Sequence, residues 1–274
     1  MIITFLQQLI KPYSIDKERV DLYKIKKVNF DLQNLRKSNE INLDQIFNSQ
    51  EINEFWKNTS VAIEKFGIPD GTGGVNPGDR RAVFYLIASL KPKSILEIGT
   101  HIGASTVNIA SALSKITTDE QFEFVTVDIR DVNSAKKKPW LKYGTKHSPK
   151  KMLEILGLSS KVQFITDTSL GYTKKSNQKF DFIFLDGDHT AKTVYEEISI
   201  ALRLLNPNGV ILLHDFFPSC QPLWANNSIV PGPFMAVNRI IKEQKNIQVK
   251  SLGSLPWPTK LDSNITSLAL ILQK

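Results

Sequence analysis

Three ionisable side chains, Asp186, Asp188 and His189, stand directly behind the apolar run Phe182 to Leu185. A run with no polar alternation suits a strand covered on both faces of a parallel sheet. In open α/β sheets ligands bind at the carboxyl ends of strands, so these groups stand where chemistry is expected. A second pair behaves alike: His214 closes the candidate strand Val210 to His214, and Asp215 follows it. Carboxylates and imidazoles from adjacent strand ends can ligate a divalent metal or move a proton. The plainer alternative is an aspartate-rich turn with a helix N-cap.

The elements that must position these residues alternate from Ser94 onward. Candidate strands are Ser94 to Ile98, Phe124 to Asp128, Val162 to Thr166, Phe182 to Leu185 and Val210 to His214. Helical segments follow Gly103, surround Met152, occur briefly near Tyr172 and run from Ala191 to Leu205. Such alternation predicts a parallel sheet with helices on both faces, a Rossmann-like α/β fold. A helix from Phe234 to Glu243 and strands near Ile247 to Leu252 and Ser267 to Leu272 complete it. The last two strands lie too close for a crossover helix, which predicts an antiparallel closing strand. Residues 1–75 are charged and amidic, with Leu43, Ile46, Phe47, Ile52 and Phe55 at helical spacing, and read as a helical extension or lid on a domain spanning 76–274. Between them Gly71 to Gly78 is turn-rich and ends in Asp79, the expected N-cap of a helix carrying Val83, Leu86, Ile87 and Leu90.

The first strand leads into Gly99-Thr100-His101-Ile102-Gly103-Ala104-Ser105-Thr106. Gly99 permits a tight turn, and Gly103 lets a ligand approach a helix N-terminus. The G-x-x-x-G spacing is not the G-x-G-x-x-G of dinucleotide folds, which counts against NAD and FAD. Asp128 ends the next strand, where an acid can accept hydrogen bonds from ribose hydroxyls, and Asp167 ends the third on the same edge.

In the order Glu97-x-Gly99-x-x-x-Gly103, Asp128, Asp167 and Asp186, the chain from Pro77 to Lys274 resembles a class I S-adenosylmethionine-dependent methyltransferase. Asp186-Gly187-Asp188-His189 and Leu213-His214-Asp215 resemble the metal-dependent small-molecule O-methyltransferases of the catechol and the macrolide or antibiotic-sugar types. The resemblance implies a seven-stranded sheet with an antiparallel last pair, and S-adenosylmethionine as cofactor. By position it assigns Glu97, Gly99, Thr100, Gly103 and Ser105 to the methionine end, Asp128 to the ribose, and Asp167 with Thr168 to the adenine, with Asp186 beside the cofactor. Asp186, His214 and Asp215 become the expected ligands of a divalent metal, magnesium or manganese. His189 becomes the expected base, with Asp188 orienting it or acting in its place. His214 departs from the family, which usually has a carboxylate there; imidazole favours manganese, iron or zinc over magnesium.

The expected reaction is therefore methyl transfer to a hydroxyl of a sugar, phenolic or polyketide-like small molecule. A same-fold N-methyltransferase is the alternative within the fold. Net charge is +8, with the densest basic group along 130–151, where Trp140 and Tyr143 are interleaved. An RNA methyltransferase or nucleic-acid-binding protein would use that loop, but its few aromatics give a poor stacking surface, and the reading goes against nucleic acid. Cys220 is the only cysteine, so no intramolecular disulfide forms and a cytoplasmic setting is expected. Met1 to Ile10 is apolar but lacks a basic start and is too short to span a bilayer, so no membrane role is expected. The aromatic, proline-stiffened loops Phe216-Phe217-Pro218, Trp224 and Val230 to Phe234 would wall a pocket or join copies of the chain in a homo-oligomer.

Overall fold

Runs of β-branched and aromatic residues separated by amphipathic helices assemble into one seven-stranded sheet in the computed structural model, which describes residues 15–28, 30–71, 74–116 and 122–274. The apolar segment Met1 to Ile10 lies outside the described residues, as do positions 72 and 73 of the glycine-rich turn. The strands are β1 (Ser94–Ile98), β2 (Glu123–Asp128), β3 (Val162–Thr166), β4 (Phe180–Leu185), β5 (Leu205–Leu213), β6 (Ile247–Ser251) and β7 (Ala269–Gln273). Their spatial order is β3-β2-β1-β4-β5-β7-β6. β1 to β5 pair in parallel, and β7 runs antiparallel between β5 and β6. The strand direction and closing antiparallel element agree with the sequence-based expectation.

The helices are α1 (residues 15–23), α2 (Leu43–Phe47), α3 (Gln50–Glu64), α4 (Pro77–Leu90), α5 (Ala104–Ile116), α6 (Pro149–Ile155), α7 (Ser169–Lys175), α8 (Ala191–Leu204) and α9 (Pro231–Glu243). Alternate residues of each strand feed two cores. Phe182 and Phe184 of β4 join Val83 and Phe84 of α4 and Ile109 of α5 on one face. Ile183 and Leu185 meet Val194 and Ile198 of α8 and Val237 of α9 on the other. This is the period of two expected of a strand. Phe180 breaks the parity and packs with the second face, because the register with β5 shifts between Phe180 and Phe182.

Two boundaries differ from expectation. α4 is capped by Asn76, whose side chain accepts from the Asp79 amide at 2.9 Å, with Pro77 at its first position. Asp79 is therefore not the cap, and its carboxylate turns into the protein. β5 begins at Leu205, because Asn206-Pro207-Asn208-Gly209 stays within the strand, which stops at Leu213 and leaves His214 just beyond it.

The N-terminal region is only partly helical. Leu35 and Lys37 form parallel bridges with Gly209 and Gln273, tying the segment to the sheet. α3 packs Phe55 on Phe84, with ring centroids 4.7 Å apart. On the opposite face Glu18 of α1 accepts from the Ala191 amide at 2.5 Å, and the Arg239 guanidinium donates to the Leu22 and Ile25 carbonyls.

Candidate active site

The carboxyl ends of β1, β2 and β4 open into a cavity of about 570 Å³. Gly99, Asp128, Asp167, Thr168, Asp186 and Asp188 line it, with His101, Arg130 and His189. Gly99 adopts φ 102°, and any Cβ there would collide with the Asp186 carbonyl, so the β1 turn and the β4 end pack in direct contact.

Glu97, Thr100 and Ser105 lie behind that turn and Gly103 beside it; all four were expected at the cofactor, but none lines the cavity wall. Glu97 is fully buried, and its carboxyl accepts from Ser105 (2.5 Å), Thr106 (2.6 Å) and Thr126 (2.6 Å). Thr100 and Thr126 hydroxyls meet at 2.6 Å. Burial pushes Glu97 up to about 7 despite the hydroxyl donors. The network braces the glycine turn from beneath.

Asp128 faces the cavity. Its carboxylate accepts from the His101 amide (2.8 Å), the Arg130 amide (2.9 Å), Arg130 Nε (3.1 Å) and Arg130 Nη2 (3.3 Å). The hydrogen bond to Asp128 raises the Arg130 pKa further. The His101 ring stacks on Tyr143 at 4.4 Å, and burial followed by the Arg130 charge lowers its pKa. Tyr143 thereby packs on two residues that line the cavity, His101 and Arg130, whose Nη1 donates to its hydroxyl at 3.3 Å. Asp167 accepts from the Thr168 amide at 2.8 Å, and Thr168 caps α7 through the Gly171 amide at 2.9 Å.

On the other side of Asp186 lies a cluster of carboxylates and imidazoles. His214 is buried, with Nδ1 2.7 Å from Asp186 Oδ1 and Nε2 3.4 Å from Asp79 Oδ2. Burial alone would lower its pKa, but the Asp186 and Asp215 charges and the hydrogen bonds to Asp186 and Asp79 outweigh burial and hold it well above the ordinary histidine range. Both ring nitrogens of His214 thus face carboxylates, Nδ1 towards Asp186 and Nε2 towards Asp79. The group able to hold an ion is Asp186, His189 and Asp215, whose ligand atoms lie within 4.8 Å of one another. His189 thus takes the place expected of His214. Two carboxylates and one imidazole suit manganese, iron or zinc better than magnesium. Asp188 does not orient His189: its carboxylate accepts from the Thr190 amide at 2.8 Å and the Thr193 hydroxyl at 3.1 Å, at the start of α8. Asp215 approaches His189 instead, with Oδ2 3.4 Å from Nε2.

Sequence reasoning missed Asp79 and Arg130 at the site. Arg130 carried a signal, two residues beyond a strand-end acid. Asp79 carried none, since an aspartate in the first turn of a helix ordinarily needs no partner beyond the helix amides.

Residues 96–216, which contain the glycine turn, the cavity acids and Asp186, His189, His214 and Asp215 of the cluster, match the family model described as a methyltransferase domain. The chain is 29% identical over 148 residues to the Dictyostelium discoideum protein named Probable caffeoyl-CoA O-methyltransferase 1, a match covering 54% of this chain and 58% of that relative. Among solved structures, an O-methyltransferase from Bacillus cereus in complex with SAH is 19% identical, with 82% of this chain and 91% of that one covered and a TM-score of 0.53. The Streptomyces achromogenes O-methyltransferase TomG, involved in tomaymycin synthesis and solved with SAM, is 18% identical, with 81% and 90% covered and a TM-score of 0.53. These structures share their fold with this chain. No helix among the described residues is long and apolar enough to cross a membrane.

Proposed function

We propose that the methyltransferase domain binds S-adenosylmethionine in the 570 Å³ cavity and transfers its methyl group to a hydroxyl of a small-molecule acceptor. The observation that carries the reading is the double position of Asp186, which lines the cavity and belongs to the trio with His189 and Asp215. Donor and acceptor sites therefore adjoin at one residue, as an in-line displacement requires. In the transfer the carbon–sulfur bond breaks, a carbon–oxygen bond forms, and the hydroxyl proton leaves. Asp128 receives the ribose hydroxyls, Asp167 and Thr168 stand by the adenine, and Gly99 keeps the methionine end free of side chains. Asp186, His189 and Asp215 would hold a divalent ion, which would supply acidification and fixed orientation of the acceptor hydroxyl. A second reading rests on the 3.4 Å approach of His189 Nε2 to Asp215: His189 itself takes the proton, with Asp215 orienting the ring. The N-terminal region serves as a wall of the acceptor side, and the protein works in the cytoplasm.

Calorimetric titration of the full chain with S-adenosylmethionine, with and without EDTA, Mg²⁺ or Mn²⁺, tests the reading. Cofactor binding is expected in every condition, and its absence sinks the proposal. Asp186→Ala is expected to abolish S-adenosylhomocysteine release with an identified acceptor. Loss of turnover in EDTA, restored by metal, selects the first reading; unchanged turnover selects the second.

A further inference from the structure

Lys260 is a half-buried cation with no carboxylate within 4 Å among the described residues. Its Nζ stands 3.3 Å from the centre of the Trp224 ring. Both partners are fixed. Trp224 Nε1 donates to the Ile265 carbonyl at 3.1 Å, and the Phe217 ring meets the indole edge-on at 5.5 Å. The Lys260 backbone forms a bridge with Ser263 in a tight turn. The stretch just before it is pinned on the first turn of α4: Trp257 Nε1 donates to the Gly78 carbonyl at 2.9 Å, and the Pro258 carbonyl and Thr259 backbone leave no room for a methyl group on Gly78. Gly78 adjoins Asp79, so the lysine is delivered to the side of the site where Asp79, His214 and Asp215 cluster. The carboxylates whose charge it feels are Asp215 and Asp79, while burial disfavours its charge.

A cation held in place, partly desolvated and with no carboxylate within 4 Å among the described residues gains most from an anion supplied by a ligand. The packing of its segment on the first turn of α4, next to Asp79, puts that ligand on the acceptor side of the proposed site, away from the cavity walled by Asp128 and Asp167. We propose that Lys260, braced by Trp224, binds an anionic oxygen group of the acceptor, so that the substrate is a hydroxyl compound carrying a carboxylate or phosphate. Lys260 is a specificity residue rather than a catalytic one. The inference rests on the methyl-transfer reading given above, with Asp186 at the junction of donor and acceptor.

The test uses the full chain saturated with S-adenosylmethionine and matched acceptor pairs: 3,4-dihydroxybenzoate against catechol, and glucose 6-phosphate against glucose. S-adenosylhomocysteine release is expected to favour the anionic member. Lys260→Met is expected to raise KM for that member about tenfold with little change in kcat, the loss of one charge-assisted contact, and Lys260→Arg to restore part of it. In parallel, Trp fluorescence is followed during titration with benzoate and with inorganic phosphate. A saturable change that Lys260→Met removes and Trp224→Phe diminishes supports the proposal. Equal use of neutral and anionic acceptors, an unchanged KM in Lys260→Met, or no saturable response to either anion overturns it. Failure to bind S-adenosylmethionine would instead strike the underlying methyl-transfer reading.

Discussion

Asp128 accepts four hydrogen bonds from protein donors, three of them from Arg130. A carboxylate has about four acceptor sites, so in the proposed reading ribose hydroxyls would have to displace or share the Arg130 guanidinium. The proposed cofactor contact would then be an exchange of partners, with the amide of His101 keeping the acid aimed during it. Asp128→Ala is expected to weaken S-adenosylmethionine binding about tenfold to a hundredfold, the range for losing hydrogen bonds to a charged group. Calorimetry measures this directly, and an unchanged Kd would remove Asp128 from the binding site. At this scale Gly99, Asp128, Asp167, Asp186 and His189 were legible, because each ends or follows an apolar run and strand ends gather at one edge. His214 was legible as a site residue but not in its role. Which neighbours claim an imidazole depends on Asp79, more than a hundred residues upstream in the chain, and no local spacing reports that contact.

α9 presses its first turn against the segment that carries His189. A Cβ on Gly232 would collide with the His189 carbonyl and lie too close to the Ala191 amide. Gly232→Ala must therefore push α9 away or shift His189. The expected result is a stability loss of about 1–3 kcal/mol, as for other overpacked sites, together with a lower kcat and unchanged cofactor affinity. Turnover equal to the parent's would show that the His189 backbone is free to adjust. The strands were the most legible elements, since continuous runs such as Phe182 to Leu185 have no helical period. β5 was shortened in the reading because Asn206-Pro207-Asn208-Gly209 spells a turn. Its backbone instead stays in the ladder, supported by the Arg36 amide on the Gly209 carbonyl at 2.9 Å and the Gly209 amide on the Asn34 carbonyl at 2.9 Å. That support comes from the N-terminal segment, whose extended part has no apolar periodicity to announce it.

Across the whole molecule, two interior carboxyls set how stability responds to pH. Burial pushes Glu97 up to about 7 and Glu197, helped by Asp188 and Glu196, up to about 8. Both stand well above the ordinary glutamate value of 4.5. Below that value each is protonated in both folded and unfolded chains, and its burial carries no ionic penalty. As pH rises, the unfolded chain releases these protons first, so folding stability falls until the native carboxyls also ionise near pH 8. Denaturant midpoints are therefore expected to decline from about pH 5 to pH 8. Glu197→Gln, which cannot ionise, should flatten that decline and raise the midpoint at pH 8 above the parent's. A parallel slope in the variant would show that Glu197 ionises as freely in the folded chain as in the unfolded one.

The slot between β5 and β6 is filled by β7, although β7 follows both in the chain. A polypeptide emerging from the ribosome can close β1, β2, β3 and β4 early, which already makes the cavity walls from Gly99 to Asp186. β5, however, keeps an unpaired apolar edge until residues 269–273 appear. The same late stretch anchors Asp215, since the Ser267 carbonyl accepts from the Phe216 amide at 2.8 Å and the Ser267 hydroxyl donates to Asp215 at 3.5 Å. The cavity and the Asp215 side of the site thus mature at different moments of synthesis: on the proposed reading, a nascent chain would reach the geometry for the methyl donor well before it could align a hydroxyl to receive the methyl group.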